Sequence, residues 1–388
     1  MNTSQRRKIA MILSSFNSKF EEGFDFFDSI AAVLVSGKKE YKASITAKSQ
    51  TELDYIFLVK KSFNNLPDAI EALIDDIIKY DSAVVSYIER GSATDVIIDD
   101  RNVKVSKRKL NDEVTDTRML RNKEYIINPS NAAPLLKALG YMTEDGKIRN
   151  DMIRKYNQTE RFIELTEDMF DDMSGKNINI VDCACGKSYL SFVLNYYLWE
   201  VRHIKAKFTG LDISEKVIEE SKKTAEKLGY KNMDFIQVDL RDYDSDFKPD
   251  TVISLHACDV ATDMALGYAI RNGAKRIICI PCCHKELLDK YKKDDLNCII
   301  KHGIFRARLN DILTDGIRVA KLEACGYEVS CVEYCSPLDT PKNLMIRAVK
   351  KTDGNKEAQK QYNELLKTLK VLPSVEIYSM LGNSEYDY

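Results

Sequence analysis

No apolar run in this 388-residue chain reaches the roughly 18 residues that cross a bilayer. The N-terminal Met-Asn-Thr-Ser-Gln-Arg-Arg-Lys is not followed by a hydrophobic segment with a cleavage site, so a signal peptide is not expected. Together these readings place the chain in the cytoplasm with no membrane partner. No strong charge of either sign is present, the formal net charge being −2, so composition alone demands no nucleic-acid partner, and a local patch would be enough for one. No cysteine occurs before Cys183. The ten, Cys183 included, do not form the two Cys-x-x-Cys knuckles of a zinc ribbon, and in a cytosolic protein they are expected to be reduced. No repeat or low-complexity stretch is evident. At 44% hydrophobic residues the chain has enough for ordinary cores, and its length suggests two domains.

The sequence is organised around Ile178 to Leu194. An apolar run, Ile178–Val181, meets Asp182, then a turn of small residues, then a helical period. A strand, tight loop and helix start of this kind set backbone N–H groups and a helix N-terminus beside the carboxyl end of a strand, where an anionic or zwitterionic cofactor can sit. Two familiar loops are excluded. Gly186-Lys187-Ser188 mimics the end of a P-loop, but Val181 stands where its first glycine belongs, and the glycines of a dinucleotide fingerprint are missing.

Upstream, residues 1 to about 30 read as helical. Strands are predicted at 31–35, 41–45 and 55–59, an amphipathic helix over 66–80 with Pro67 in its first turn, and further strands at 83–88, 96–98 and 103–105. This is a small α+β domain over 1–125. Arg101 to Lys123 carries Lys104, Lys107, Arg108, Lys109, Arg118 and Arg121. It reads either as a solvated hairpin face, since Asp112, Glu113 and Asp116 interrupt it, or as a surface that tracks RNA phosphates. Residues 126–175 read as a linker and lid, with a short helix at 132–139 and one long helix from 150 to about 173 bearing Lys155 and Gln158. After residue 353 a helix near 356–369 and a tyrosine-bearing tail follow.

Between 176 and 352, three successive predicted strands end in an acid: Asp182, Asp212 (followed by Ile213) and Asp239 (followed by Leu240). Such acids suit the hydroxyls of a ribose and the exocyclic amine of an adenine, although a single aspartate there usually only caps a helix. A fourth strand, 251–255, runs into His256-Ala257-Cys258-Asp259, and a fifth, 276–280, into Pro281-Cys282-Cys283-His284.

On these residues the chain resembles a bacterial family of class I S-adenosylmethionine (SAM)-dependent methyltransferases, in the group that includes Cys/His-motif tRNA 2′-O-methyltransferases. The matching pieces are Asp182-Cys183-Ala184-Cys185-Gly186-Lys187-Ser188-Tyr189, His256 to Asp263, Pro281 to His284 and Thr340 to Ala348, with Lys155 to Gln158 and 128–150 upstream. The resemblance implies a Rossmann-like, mostly parallel seven-stranded sheet with a closing antiparallel strand. It also implies SAM as donor, leaving S-adenosylhomocysteine, and an acceptor that is RNA, tRNA or rRNA. The rival readings are a small-molecule or protein methyltransferase and a non-catalytic SAM-binding scaffold. The cofactor residues it implies are Asp182 to Tyr189, Asp212, Ile213, Asp239, Leu240 and His256, roofed by Lys155 and Gln158. One departure is Ala184, where the family loop has glycine. Ordinary backbone angles there would leave binding intact.

The same resemblance gathers Cys183, Cys185, His256, Cys258, Asp259, Cys282, Cys283 and His284 around the activated methyl group. Three chemistries are open. His256, Asp259 or His284 takes a proton from the acceptor. A thiolate of Cys282 or Cys283 adds to a pyrimidine, with Cys258 helping release. Or Cys258, Cys282, Cys283 and His284 bind zinc, a reading strained by two adjacent cysteines whose side chains diverge. The bland alternative is that the thiols are small core residues and the histidines satisfy carbonyls. No metal is expected. Arg306, Arg308, Asp311, Thr314, Asp315 and Arg318 lie on a predicted loop and helix beyond the pocket.

Overall fold

The computed structural model describes residues 3–99, 102–110, 125–255, 257–290, 296–334 and 343–381. They form two compact units, one of residues 1–125 with 141–155, the other of 126–140 with 156–388.

The first unit opens with helix α1 (Thr3–Glu22) and continues through β1 (Phe27–Ser36), β2 (Lys39–Ser49), β3 (Glu52–Phe57), β4 (Val59–Phe63), α2 (Leu66–Ile77), β5 (Ser82–Glu89), β6 (Ser92–Ile98) and β7 (Val103–Lys109). The strands pair antiparallel in the order β4-β3-β2-β1-β5-β6-β7. Alternation decides which face is covered: Ile30, Ala32 and Leu34 of β1, Ala43 and Ile45 of β2, and Val85 and Tyr87 of β5 are buried with Leu13, Phe16 and Phe20 of α1 and Ile70, Leu73 and Ile74 of α2. The opposite face leaves Ile56, Val84, Ile97 and Val105 exposed. Helix α2 begins where expected because Asn65 Oδ1 accepts the Asp68 N–H at 2.8 Å, and Pro67 occupies the first turn. The predicted strand at 55–59 is interrupted at Leu58, whose φ of 52° reverses the chain so that β4 pairs back on β3, Phe57 opposite Val59. Basic β7 is an edge strand, and the rest of the predicted basic segment, 111–123, lies outside the described residues, as does Arg101.

The second unit holds α3 (Ala133–Ala138), most of α4 (Ile153–Glu164), β8 (Asn177–Cys183), α5 (Tyr189–Tyr196), β9 (Lys205–Asp212), α6 (Glu215–Leu228), β10 (Met233–Gln237), β11 (Thr251–Leu255), α7 (Val260–Arg271), β12 (Arg276–Ile280), α8 (Glu286–Lys290), α9 (Asn297–Ile300), α10 (Gly303–Ala324), β13 (Tyr327–Glu333), β14 (Leu344–Lys350), α11 (Lys356–Leu369) and α12 (Ser374–Met380). The sheet order is β10-β9-β8-β11-β12-β14-β13. Strands β8 to β12 pair in parallel, and β14 pairs antiparallel with both β12 and β13. Every residue of β12 is buried, the mark of a parallel strand covered on both faces. The strand order reverses between β8 and β11, and the carboxyl ends of strands at such a reversal are where open α/β sheets bind ligands.

The predicted long helix over 150–173 is three pieces: a short 3₁₀ turn (Asn150–Met152), α4, and a second 3₁₀ segment (Glu167–Met173). Thr166 breaks it, its hydroxyl bonding back to the Phe162 carbonyl at 2.8 Å. The start of α4 is tied to the segment before α3, with Tyr156 donating to the Ile127 carbonyl at 2.6 Å and the buried Glu160 accepting the Ile127 N–H. The last helices are not an appendage. A Cβ on Gly267 of α7 would lie 2.5 Å from the carbonyl carbon of Tyr378, so α12 packs backbone-close on α7, and Lys321 meets Glu376 at 2.7 Å.

Candidate active site

The loop after β8 is built from left-handed backbone. Ala184, Gly186 and Ser188 have φ of 55°, 53° and 53°. Three such residues at alternate positions turn the chain sharply into α5 while the Cys185 N–H stays on the Leu211 carbonyl at 2.9 Å. The condition of ordinary angles at Ala184 is not met: its methyl sits in a conformation that L-residues enter at a cost of about 1–2 kcal/mol. Ala184→Gly is expected to stabilise the protein by about 0.5–1 kcal/mol, part of the relief being returned as glycine's unfolded-state entropy. Denaturant melts check this, and no gain would show that the angle is unstrained.

Asp182 is 2% exposed at the mouth of this loop. Its Oδ2 accepts the Ser191 hydroxyl at 2.5 Å, while Oδ1 has no partner. Burial pushes its carboxyl up to about 7 against one helping hydrogen bond, and the nearby Asp212 charge adds to the rise. Its second oxygen is unpaired yet shielded from solvent, so it can receive only a cation that enters beside the loop. Ser191 escaped the sequence reading, although its place nine residues on, in the first turn of α5, was the available signal.

Asp212, at the end of β9, bonds the Gly186 N–H (2.9 Å) and the Ser214 N–H (2.9 Å). Each bond uses one of roughly four acceptor positions on the carboxylate, so capacity for hydroxyl donors remains. Ile213 beside it is 68% exposed. Gly210 of β9 admits the loop, because a Cβ there would come 2.6 Å from the Phe235 ring and 3.2 Å from Cys185 Sγ. Asp239 lies two residues past the end of β10, and its carboxylate is clamped by the Arg241 guanidinium at 2.6 and 3.0 Å, which holds it down to about 2. Leu240 is buried beneath. Lys187 reaches outward to Glu220 at 3.1 Å, and Tyr189 begins α5. Gln158 is half-buried on α4, and Lys155 stands over the Tyr141 ring within the first unit.

The ends of β11 and β12 bring together fewer groups than expected. His256 lies outside the described residues. Cys183 is wholly buried and its thiol pushed far up by that burial, so it is core rather than pocket wall. His284 is also turned inward, its Nε2 2.8 Å from Asp315 and its Nδ1 3.4 Å from Asp311, which leaves neither ring nitrogen to an acceptor or a metal. Asp259 acts as a clasp, with Oδ1 accepting the Lys285 and Glu286 N–H groups at 2.8 and 3.2 Å. Three thiols do converge: Cys283 Sγ lies 3.8 Å from Cys258 and 3.8 Å from Cys282. Burial pushes the Cys282 thiol up to about 12, so it is not a ready nucleophile at neutral pH.

Behind them runs a buried ionic network that the sequence pattern alone leaves on a loop and helix. Arg318 of α10 holds Asp263 of α7 at 2.7 and 3.0 Å, Asp315 at 3.1 Å and the Asp259 carbonyl at 3.0 Å. The buried set Asn310, Thr314, Ile317, Arg318 and Lys321 recurs at helical spacing, and that period was the missed signal. Arg306 and Arg308 are exposed.

The reversed strand order, the left-handed loop after the first strand and the acid after the second are those expected of a SAM-dependent methyltransferase domain. In agreement, residues 154–290 match a family model described as a methyltransferase domain. The chain is similar to a human glutathione S-transferase C-terminal domain-containing protein, 25% identical over 232 residues, covering 53% of this chain and 35% of the relative. The mouse counterpart is 29% identical over 142 residues, 36% of this chain and 20% of its own. The chain thus spans about a third or less of these relatives. Among solved structures, an rRNA methylase from Streptococcus thermophilus (TM-score 0.33, 13% identity, 49% of this chain and 96% of that one) is similar. So is a magnesium protoporphyrin IX methyltransferase from Synechocystis with bound S-adenosylhomocysteine (0.33, 19%, 58% and 96%). No helix among the described residues is long and apolar enough to cross a membrane.

Proposed function

We propose that the protein transfers a methyl group from SAM to RNA, a tRNA or rRNA, at a base or ribose, as in the Cys/His-motif group it resembles. The observation that carries the donor half is the unpaired, shielded Oδ1 of buried Asp182 beside the left-handed loop and Asp212. When bound, SAM supplies a methyl on a sulfonium. Asp182 takes the cofactor's ammonium, Asp212 its ribose hydroxyls, and Ile213 with Leu240 borders the base. Asp239 reaches the adenine amine only in competition with Arg241, so Asp212 carries more of the affinity. The acceptor's lone pair would take that methyl, leaving S-adenosylhomocysteine, and the acceptor's proton would pass to solvent or to a neighbouring base.

The acceptor half rests on β7, an edge strand that exposes Lys104 and Arg108 on one face and Lys107 and Lys109 on the other, Arg108 being held by Asp95 at 2.7 Å; a basic edge of this kind suits a phosphate backbone. Lysines also guard an edge against pairing with another strand, and the test separates the two roles. Methyl-label transfer from SAM to total RNA is expected, with RNA affinity falling as salt rises. Changing Lys104, Lys107 and Lys109 to Glu lowers the salt slope by about 0.7 for each single-strand phosphate that is no longer neutralised. Label on protein or on small molecules alone, with salt-independent indifference to RNA, overturns the acceptor reading. Absence of SAM binding overturns the donor reading.

A further inference from the structure

We propose that Cys258, Cys282 and Cys283 form a zinc site with three protein ligands and one exchangeable position. The three sulfurs lie within 4.8 Å of one another, and two of the separations are 3.8 Å. A tetrahedral zinc with Zn–S bonds of about 2.3 Å has S–S edges of about 3.8 Å, about 1.63 times the bond length. A disulfide needs about 2.05 Å, so these are three separate sulfurs rather than a bridge. Adjacent cysteines converge here because the chain leaves β12 at Pro281 and runs without regular structure to Lys285.

The frame is held independently of any metal. Asp259 binds the two N–H groups that follow His284, which ties the Cys258 loop to the Cys282–Cys283 loop. Arg318 holds the Asp259 carbonyl from behind at 3.0 Å, and Asn310 donates to the His284 carbonyl. A site fixed by such supports loses little entropy on binding. Cys258 is exposed, so an ion can enter. Among the described residues no fourth His, Cys, Asp or Glu joins the cluster, and His284 is committed to Asp311 and Asp315. Three protein ligands and an open position are the pattern of zinc sites that exchange water for substrate. Thiolates select zinc over magnesium or calcium. Each cysteine gives its proton to solvent on binding, so uptake releases protons. If the neighbouring crevice holds SAM as proposed, the fourth position is where an acceptor hydroxyl, amine or thiol would be bound and deprotonated. The zinc site itself does not depend on that reading.

The test uses the full chain, reduced and stripped of metal without oxygen, then titrated with cobalt(II) as a coloured substitute and with zinc. The expected result is one ion per chain, an intense thiolate-to-cobalt band that zinc bleaches, and zinc protection of these three cysteines from alkylation in peptide maps. Cys258→Ser, Cys282→Ser and Cys283→Ser, each checked by circular dichroism, are expected to weaken zinc about a hundredfold, while Cys298→Ser, an exposed cysteine elsewhere, leaves it unchanged. No thiolate band, no protection, or equal loss in Cys298→Ser overturns the proposal. Metal uptake is read without cofactor, so zinc binding without SAM binding removes only the proposed function, and the converse removes only this site.

Discussion

Asp182→Asn is expected to stabilise the free protein at pH 8 while weakening SAM binding at least about a hundredfold. The carboxyl is buried with one hydrogen bond and one open oxygen, and its folded-state value stands near 7 against an ordinary 3.8. Between those two values the folded chain holds a proton that the unfolded chain has released. The group's contribution to stability is therefore full below about pH 4 and is lost as pH rises through about 7. Three units at about 1.4 kcal/mol each put a ceiling of about 4 kcal/mol on that loss. Asparagine escapes it, keeps the bond from Ser191 through its amide oxygen, and gives back about 1–3 kcal/mol because its buried NH₂ lacks an acceptor. A net gain of about 1–2 kcal/mol at pH 8, vanishing toward pH 5, follows. SAM reverses the balance: its ammonium needs the anion, so wild-type affinity is expected to fall about tenfold per pH unit below 7. Denaturant melts at two pH values with calorimetric titration of SAM check both halves. Equal stability at pH 8, or SAM affinity retained in the variant, would show that the open oxygen is not the receptor.

What the chain discloses by itself follows from the range of the interactions involved. Strands β11 and β12 lie at the predicted 251–255 and 276–280, and α11 at 356–369, because burial of a parallel strand and the period of an amphipathic helix are written within about ten residues. The strand-end places of Asp182 and Asp212 were legible for the same reason. Ala184 was legible only as a departure from the family's glycine; that its backbone is left-handed shows once the bond between Gly186 and Asp212 fixes the loop. His284 was misjudged because its partners, Asp311 and Asp315, belong to a separate helix and meet it only when α10 packs. The packing of α12 on α7 left one trace, a glycine inside a helix at 267, which a local reading treats as noise.

Arg318→Met is the second large effect, an expected loss of about 3–5 kcal/mol. The guanidinium is fully buried, bidentate on Asp263 of α7, and shared with Asp315 and the Asp259 carbonyl. Truncating one partner of a buried pair strands the other charge, which costs far more than the pair itself is worth. Burial already raises the Asp263 carboxyl even with the arginine present. Without it the carboxyl rises further and takes a proton, so the sign is that of a raised acid: the damage is smaller at pH 5 and grows as pH climbs to 8. Arg318→Met with Asp263→Leu is expected to recover a large part of the loss, since no charge is then left unpaired. The loss also reaches the thiols, because the Asp259 carbonyl gives up its donor and the clasp between the Cys258 and Cys282 loops slackens, so zinc affinity falls in the single variant more than in Cys298→Ser. Melts at pH 5 and pH 8 decide it. A single variant within about 1 kcal/mol of wild type, or one equally damaged at both pH values, would mean that the network fills space between α7 and α10 without holding the charges that the geometry assigns to it.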